Sequence, residues 1–533
     1  MADVTTQAPP ANTPPKRPRG GAPEFGPQRK LTSGGILALV IKVVLLGIID
    51  ALAVFGLYVL IGKGDWLAAA LLVAVVGLVN YIYLKPGVLP AKYLTPGLFF
   101  LAIFQVFVIF YTGYISFTNY GDAHNSTKED AIEQIVSTSQ QRVPDSPSYA
   151  VEVYKQADQF GMLVAEPGGG TAFGTNEQPL EDASSAPDGW ERLNLNQVLR
   201  FQDEVLALNI PVSDDINDGT LRTPDGTTAF VFTSTLEYDE TADTFTNTET
   251  GAVYADDGEG NFRAEDGQTL TPGWRVVIGW DNYAYAFTNE QVRDPLIRVT
   301  IWTFAFAFFS TLLCFALGLF LAIVFNHPTL RGKKIYRILV ILPYAFPTYL
   351  TGLVWAGMLN QEFGFINEVI FGGADIPWLS DPWLARLSVL LVNMWLGYAY
   401  MFLVCTGALQ SLPDDVIEAA KMDGAGAWRI FRSIKLPLLF VAVAPLLIAT
   451  FAFNFNNFAV IFMLTGGNPR FPDTTMPIGA TDIMITMVYK IAFGSGGGRD
   501  YGLASALSIL IFIIVAIIAA ISFRSTKSLE DLH

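Results

Sequence analysis

The chain has 533 residues, of which 51% are hydrophobic and 15% charged, with a formal net charge of -16. That balance excludes an ordinary soluble domain and points to a protein that crosses a membrane several times. No nucleic-acid partner is expected of so acidic a chain.

Residues 1–33 are rich in Pro, Ala and Gly, with a few basic side chains, and lack a small-residue cleavage site beside a short apolar core. They read as a disordered cytoplasmic tail and not as a signal peptide; a basic patch on anionic lipid is the other reading. A membrane span needs about 20 mostly apolar residues. Such runs occur near 36–61, 66–84, 96–117, 298–325, 336–359, 385–410, 437–464 and 502–523. The expected fold class is therefore an all-α polytopic membrane protein with eight transmembrane helices. It divides into a hairpin (34–92), a third helix (93–118), an inserted outer domain (119–294) and a core membrane domain (295–533).

Basic residues of short loops stay on the cytoplasmic side. Lys16, Arg17, Arg19, Arg29 and Lys30 precede the first span, and Lys85 and Lys92 follow the second. Arg331, Lys333, Lys334 and Arg337, then Lys421, Arg429, Arg432 and Lys435, then Arg524 and Lys527, keep the alternation. Both termini are expected in the cytoplasm and 119–294 outside.

The outer segment opens with helix-like sequence, STKEDAIEQIVSTSQQ, and continues as short strands punctuated by turns at 224–226, 257–258, 266–267 and 272–273. TTAFVFTSTLEY and GWRVVIGWDNYAYAF supply the β-branched and aromatic residues of strands. A β-rich domain is expected, its acidity read as a solvated surface or as a charged docking face. Cys314 and Cys405 fall inside predicted spans and read as packing residues. His124, His327 and His533 are scattered without metal-site spacing. RGKK at 331–334 lacks the glycine and hydroxyl of a phosphate loop, so no ATP chemistry, no catalytic residue and no metal or cofactor is expected in this chain.

Between the sixth and seventh spans stands EAAKMDGAGAWRIFRSIKLP. Pro413, Asp414 and Asp415 suit a helix start and Gly424 a helix stop, which predicts a helix of about ten residues on the cytoplasmic face. The loop 411–437 reads as a bent helical knob, or as an amphipathic loop resting on headgroups. In the seventh span, Asn454, Asn456 and Asn457 place amides where polar groups are costly unless paired or facing a cavity. Asn454 and Asn457 share a helix face with Phe453, an arrangement that suits a neutral, hydroxyl-rich ligand; hydrogen bonding between helices is the alternative. Asp50 is the one obvious carboxylate for an ion-coupled transporter, and is expected at a helix contact.

Glu418, Ala419 and Ala420, three residues, Gly424, nine more, and then Ile434-x-Leu436-Pro437 resemble the EAA signature of permease subunits of binding-protein-dependent ABC importers. ILPYAFPTYLTGLVW, WLSDP, WLGYAYM, FAFNFNNF and YKIAFGSGGGRDYGLASA resemble the maltose/maltodextrin class of that family, from about residue 95 onward. The resemblance implies an immunoglobulin-like outer domain that meets an extracytoplasmic solute-binding protein. It implies a second permease subunit and two ATPase subunits that use ATP and Mg, in a bacterial cytoplasmic (inner) membrane. Glu418, Ala419, Ala420 and Gly424 would dock into an ATPase cleft, with Glu418 facing a basic group. Leu396, Gly397, Tyr400, Thr450, Phe453, Asn454 and Asn457 would contact maltose or maltodextrin, Thr450 standing where serine is expected. Another α-glucoside such as trehalose is the alternative cargo, and ion-coupled sugar transport the alternative mechanism.

Overall fold

The computed structural model describes residues 33–144, 146–166, 168–327, 330–494 and 499–530. The predicted tail with its basic residues, and His533, lie outside the described residues. Among those described, seven helices are long and apolar enough to cross a membrane, or eight if one bent pair counts as a span. The chain divides into two units, at Phe107 and Val108.

In the first unit, Ser33–Gly62 and Trp66–Leu84 form a helical hairpin. Gly64 turns the chain at φ +73°, and the Asp65 carboxylate accepts from Ala68 N at 3.1 Å to cap the second helix. Asp50 meets Asn80 across the hairpin, its Oδ1 accepting from Nδ2 at 2.6 Å, so the carboxylate is spent on a helix contact. Pro90 then opens Leu89–Leu101, where its missing N–H costs nothing.

The second unit is built around Glu290–Phe325 packed along Pro382–Gln410. Two glycines let these helices approach closely. A Cβ on Gly318 would come within 2.7 Å of the Met401–Phe402 backbone, and one on Gly397 within 2.6 Å of Cys314 Sγ. Cys314, Met401, Phe402 and Cys405 are buried there with Leu439 and Val443, so both cysteines are packing residues.

Two spans depart from their sequence outlines. The run 336–359 is not one helix: Lys333–Ala345 and Thr348–Met358 meet at 94°. Pro343 and Pro347 remove backbone donors at the elbow, and Phe346 is driven to extended backbone ahead of Pro347. The seventh helix starts earlier and stops earlier than expected, running Ala427–Phe455 and breaking at Asn456 and Asn457 before Phe458–Leu464 resumes. Asn side chains compete with helical backbone bonding, which makes this the point of least resistance in an apolar run.

The outer segment carries a nine-stranded sheet and a four-stranded sheet. The larger buries Val153, Met162, Val164, Ile210 and Ala229; the smaller packs Phe245, Phe262 and Trp274 against Ile135 of the helix Lys128–Thr138. That helix is held by a capping box between Thr127 and Asp130. Gly226, Gly258 and Gly267 turn the chain with positive φ at three of the predicted turns.

Candidate functional site

A cavity of about 370 Å³ opens among the core helices. Its wall combines Cys314, the elbow residues Tyr344 and Phe346, one face of the sixth span (Asn393, Leu396, Gly397, Tyr400) and one face of the seventh (Thr450, Phe453, Asn454). Spacings of three and four put each set on a single helix face. The structure thus brings together six of the seven residues expected at a ligand, and Asn457 stands behind the wall.

Asn457 is nonetheless tied to the cavity. Its Nδ2 donates to Asn393 Oδ1 at 2.9 Å, Asn393 Nδ2 donates to Asn454 Oδ1 at 2.9 Å, and Asn454 Nδ2 reaches Thr311 Oγ1 at 3.4 Å. All three amides are buried. The chain of bonds links three helices and also fixes which way Asn393 and Asn454 present their amides to the cavity. Hydrogen bonding between helices and a polar wall are therefore the same residues seen from two sides. Asn456 is exposed at the break and takes no part.

Sequence reasoning missed Asn393, Tyr344 and Phe346. Asn393 carried a readable signal, being an amide inside the apolar run SVLLVNMWLG and seven residues before Tyr400. Tyr344 stacks near Tyr400, centroids 6.4 Å apart and planes inclined by 21°, and only the elbow brings it there. Phe453 shows an open ring, while Thr450 donates its hydroxyl proton to Leu446 O at 2.8 Å and keeps an oxygen lone pair free. Among the described residues no charged side chain lines the cavity. Amides, hydroxyls and aromatic faces without charge fit a neutral ligand that has both polar edges and apolar faces.

The coupling-type loop forms the helix Asp414–Met422. Gly424, at φ +79°, closes it: Ala425 N bonds Ala420 O and Gly424 N bonds Lys421 O, each at 3.0 Å, which satisfies the last carbonyls. Glu418, Ala419 and Gly424 are exposed and Ala420 half-buried; Glu418 has no ion pair among the described residues. The chain re-enters helix at Ala427 and continues without interruption to Phe455. This rod carries the cavity residues Thr450, Phe453 and Asn454, and the turn at 423–426 joins it to the helix that holds Glu418.

Two family models match the chain. One, described as the binding-protein-dependent transport system inner membrane component, covers residues 314–530; the other, the N-terminal part of the transmembrane subunit in binding-protein-dependent ABC transporters, covers 99–177. The chain is 34% identical over 507 residues to the maltose/maltodextrin transport system permease protein MalF of Escherichia coli (strain K12), covering 91% of this chain and 96% of that protein. The MalF protein of Photorhabdus laumondii is 32% identical over 486 residues, covering 87% of this chain and 92% of the relative. A solved bacterial ABC transporter involved in the import of the acidic polysaccharide alginate is similar at 22% identity and a TM-score of 0.41, over 47% of this chain and 84% of that one.

Proposed function

This chain belongs to the MalF family and is a permease subunit of a binding-protein-dependent importer, and we propose that its cargo is maltose or a maltodextrin, held in the cavity around Asn454. It is a multi-pass membrane protein and not an enzyme by itself; ATP is hydrolysed by partner subunits. In this reading the partners are a second permease chain, two ATPase subunits that use ATP and Mg, and an extracytoplasmic solute-binding protein. The basic residues of the short loops favour cytoplasmic termini, with 119–294 outside.

Alternating access needs an external force applied to the site. An ATPase that grips Glu418, Ala419, Ala420 and Gly424 pulls, through the turn at 423–426, on the rod that ends in Thr450, Phe453 and Asn454, so a tilt at the cytoplasmic face moves one cavity wall against the sixth span. The elbow and the break at Asn456 and Asn457 are the places where the remaining wall gives way, as interrupted helices do in other transporters. Asn393 and Asn454, held from behind by Asn457, would donate to and accept from sugar hydroxyls, while Tyr400 and Phe453 cover the apolar faces of the ring, helped by Leu396 and Gly397.

The observation that carries the reading is an uncharged amide-and-aromatic wall on the helix that continues into the EAA loop. The test is uptake of labelled maltose per assembled complex in Asn454→Leu, with ATPase activity measured alongside. Lost uptake with retained ATPase supports the sugar site, and normal uptake per complex removes it. Competition by unlabelled trehalose decides between maltodextrins and a wider α-glucoside range.

A further inference from the structure

Near the outer surface, the root of the outer domain is locked to the start of the last span. Gly502 N donates to Tyr120 O at 2.9 Å, and Asp122 N donates to Arg499 O at 2.9 Å. Asn282 Nδ2 donates to Ser116 O at 2.9 Å and to Thr118 O at 2.8 Å. The backbones touch: a Cβ on Gly502 would lie 2.2 Å from Thr118 O, and one on Gly121 would lie 2.7 Å from Arg499 O. Such a joint has no slack, so displacement of the domain root displaces Tyr501 with it.

From this joint a column of aromatic rings descends to the broken span. Tyr120 packs on Tyr501 with centroids 5.0 Å apart, and Tyr501 on Phe493 at 6.0 Å. Phe493 meets Tyr489 at 5.2 Å, and Tyr489 meets both Phe458 at 4.9 Å and Phe462 at 5.2 Å. Phe458 is the residue that follows Asn457, the partner of Asn393. Every step is a ring-on-ring contact between different elements or successive turns, so a shift of one ring bears directly on the next. The column therefore joins the root of the outer domain to the break in the seventh span beside the cavity.

We propose that this column transmits engagement of the outer domain by the solute-binding protein to the half-helix Phe458–Leu464, with Tyr489 and Tyr501 as positioning residues for the site. The proposal rests on the function given above, since it needs a binding protein that stimulates the complex. An alternative role for the rings, plain packing, predicts a different set of changes. A packing role lowers the amount of assembled complex and leaves each assembled complex normal. A transmitting role leaves the motor intact but deaf to the outside.

The experiment uses the whole transporter, reconstituted with its partner subunits, and reads ATPase activity per complex with and without sugar-loaded binding protein. In Tyr489→Leu and in Tyr501→Leu the stimulation at saturating binding protein is expected to fall by at least about fivefold, the lower end of ordinary coupling between sites. The unstimulated rate and the half-saturating concentration of binding protein stay as in the unmodified complex. Tyr489→Phe, which keeps the ring, stays fully stimulated. The double variant is no worse than the worse single one, because both interrupt one path. Phe493 is the link between Tyr501 and Tyr489, so Phe493→Ala opens the column at that point and carries the same expectation if Tyr489→Leu assembles poorly. Full stimulation in the leucine variants, or losses that simply multiply in the double variant, overturns the proposal. An unmodified complex that no binding protein stimulates removes the functional reading itself, a result distinct from stimulation that survives loss of the rings.

Discussion

Asn393 sits between Asn454 and Asn457, accepting from one and donating to the other, and its substitution distinguishes wall from scaffold. Asn393→Leu leaves Asn457 Nδ2 without its acceptor, and a buried donor left unpaired costs about 1–3 kcal/mol. We expect a reduced yield of complex together with reduced uptake per complex. Thr311→Val removes only the last acceptor of the amide chain, outside the cavity wall, and should lower uptake per complex less than Asn393→Leu does. Quantifying both variants by immunoblot and transport separates the effects. In the outer domain, Lys128 Nζ lies 2.5 Å from Asp243 and 2.6 Å from Asp256, over the rings of Phe262 and Trp274. Burial pushes the Asp243 carboxyl up, but the hydrogen bonds from Lys128 and Tyr238 outweigh it and hold it below the usual range. A depressed carboxylate stabilises the fold above its unfolded value, and this contribution is lost as the pH falls through the folded one. Burial and the hydrogen bond to Asp243 push Tyr238 up to about 12, so its contribution is present below the unfolded value and fades at higher pH. Thermal unfolding of the outer domain should therefore be most resistant between about pH 5 and 9 and weaken on either side, with the acid limb shallower in Lys128→Met.

At the scale of elements, the short helix Asp414–Met422 was legible and its neighbours only partly so. Pro413, the acidic start and Gly424 are local signals, and local signals decided where that helix begins and ends. The break at Asn456 and Asn457 was not visible because hydrophobicity continues through PLLFVAVAPLLIATFAFNFNNFAVIFML, and hydropathy reports length, not continuity. The elbow was written in Pro343 and Pro347, yet a window that averages over 20 or so residues passes across them. Asn393 escaped for a related reason: one amide in a long span carries little weight until a second appears opposite. Two substitutions test the knob. Glu418→Lys should give a complex that fails to couple ATP hydrolysis to uptake, since a like-charge contact costs several kcal/mol at an interface; normal transport in an assembled Glu418→Lys complex removes the docking role. At Gly424 a Cβ meets nothing within 4 Å, so the backbone angle and not crowding within the chain limits substitution. Gly424→Asn, which tolerates that angle, should keep transport better than Gly424→Leu, which is strained there; equal losses would rule out backbone strain as the cause.

For the whole molecule, burial sorts the helices by neighbour. Glu290–Phe325 and Pro382–Gln410 each have 39% of their most apolar window buried inside the chain, whereas Ala427–Phe455 has 11%. The rod that leads from the knob to the cavity wall is thus largely uncovered by its own chain, as a helix that faces a second permease subunit would be. Leu446 is exposed on it. A lipid-facing position accepts a larger apolar residue, but a helix interface does not, so Leu446→Trp should abolish co-purification with the second permease while the chain itself still inserts. Retained co-purification would assign that face to lipid. The eight-span count and the β-rich insertion were readable from composition and turns because they depend on gross pattern. Six residues of the cavity wall were readable, most of them only through the resemblance; composition and spacing do not reveal the wall as a whole, because it is assembled from residues more than a hundred positions apart in the chain, such as Cys314 and Phe453.

The two cysteines have a practical consequence. Cys314 and Cys405 are 2% and 0% exposed, so water-borne maleimides meet no native thiol among the described residues. A fluorophore placed at Met422, 88% exposed on the knob, and a second placed at Trp280, 69% exposed at the root of the outer domain, would therefore report on a silent background. Energy transfer between them becomes a ruler laid along the machine, and the stroke that ATP drives can be timed in a single working transporter.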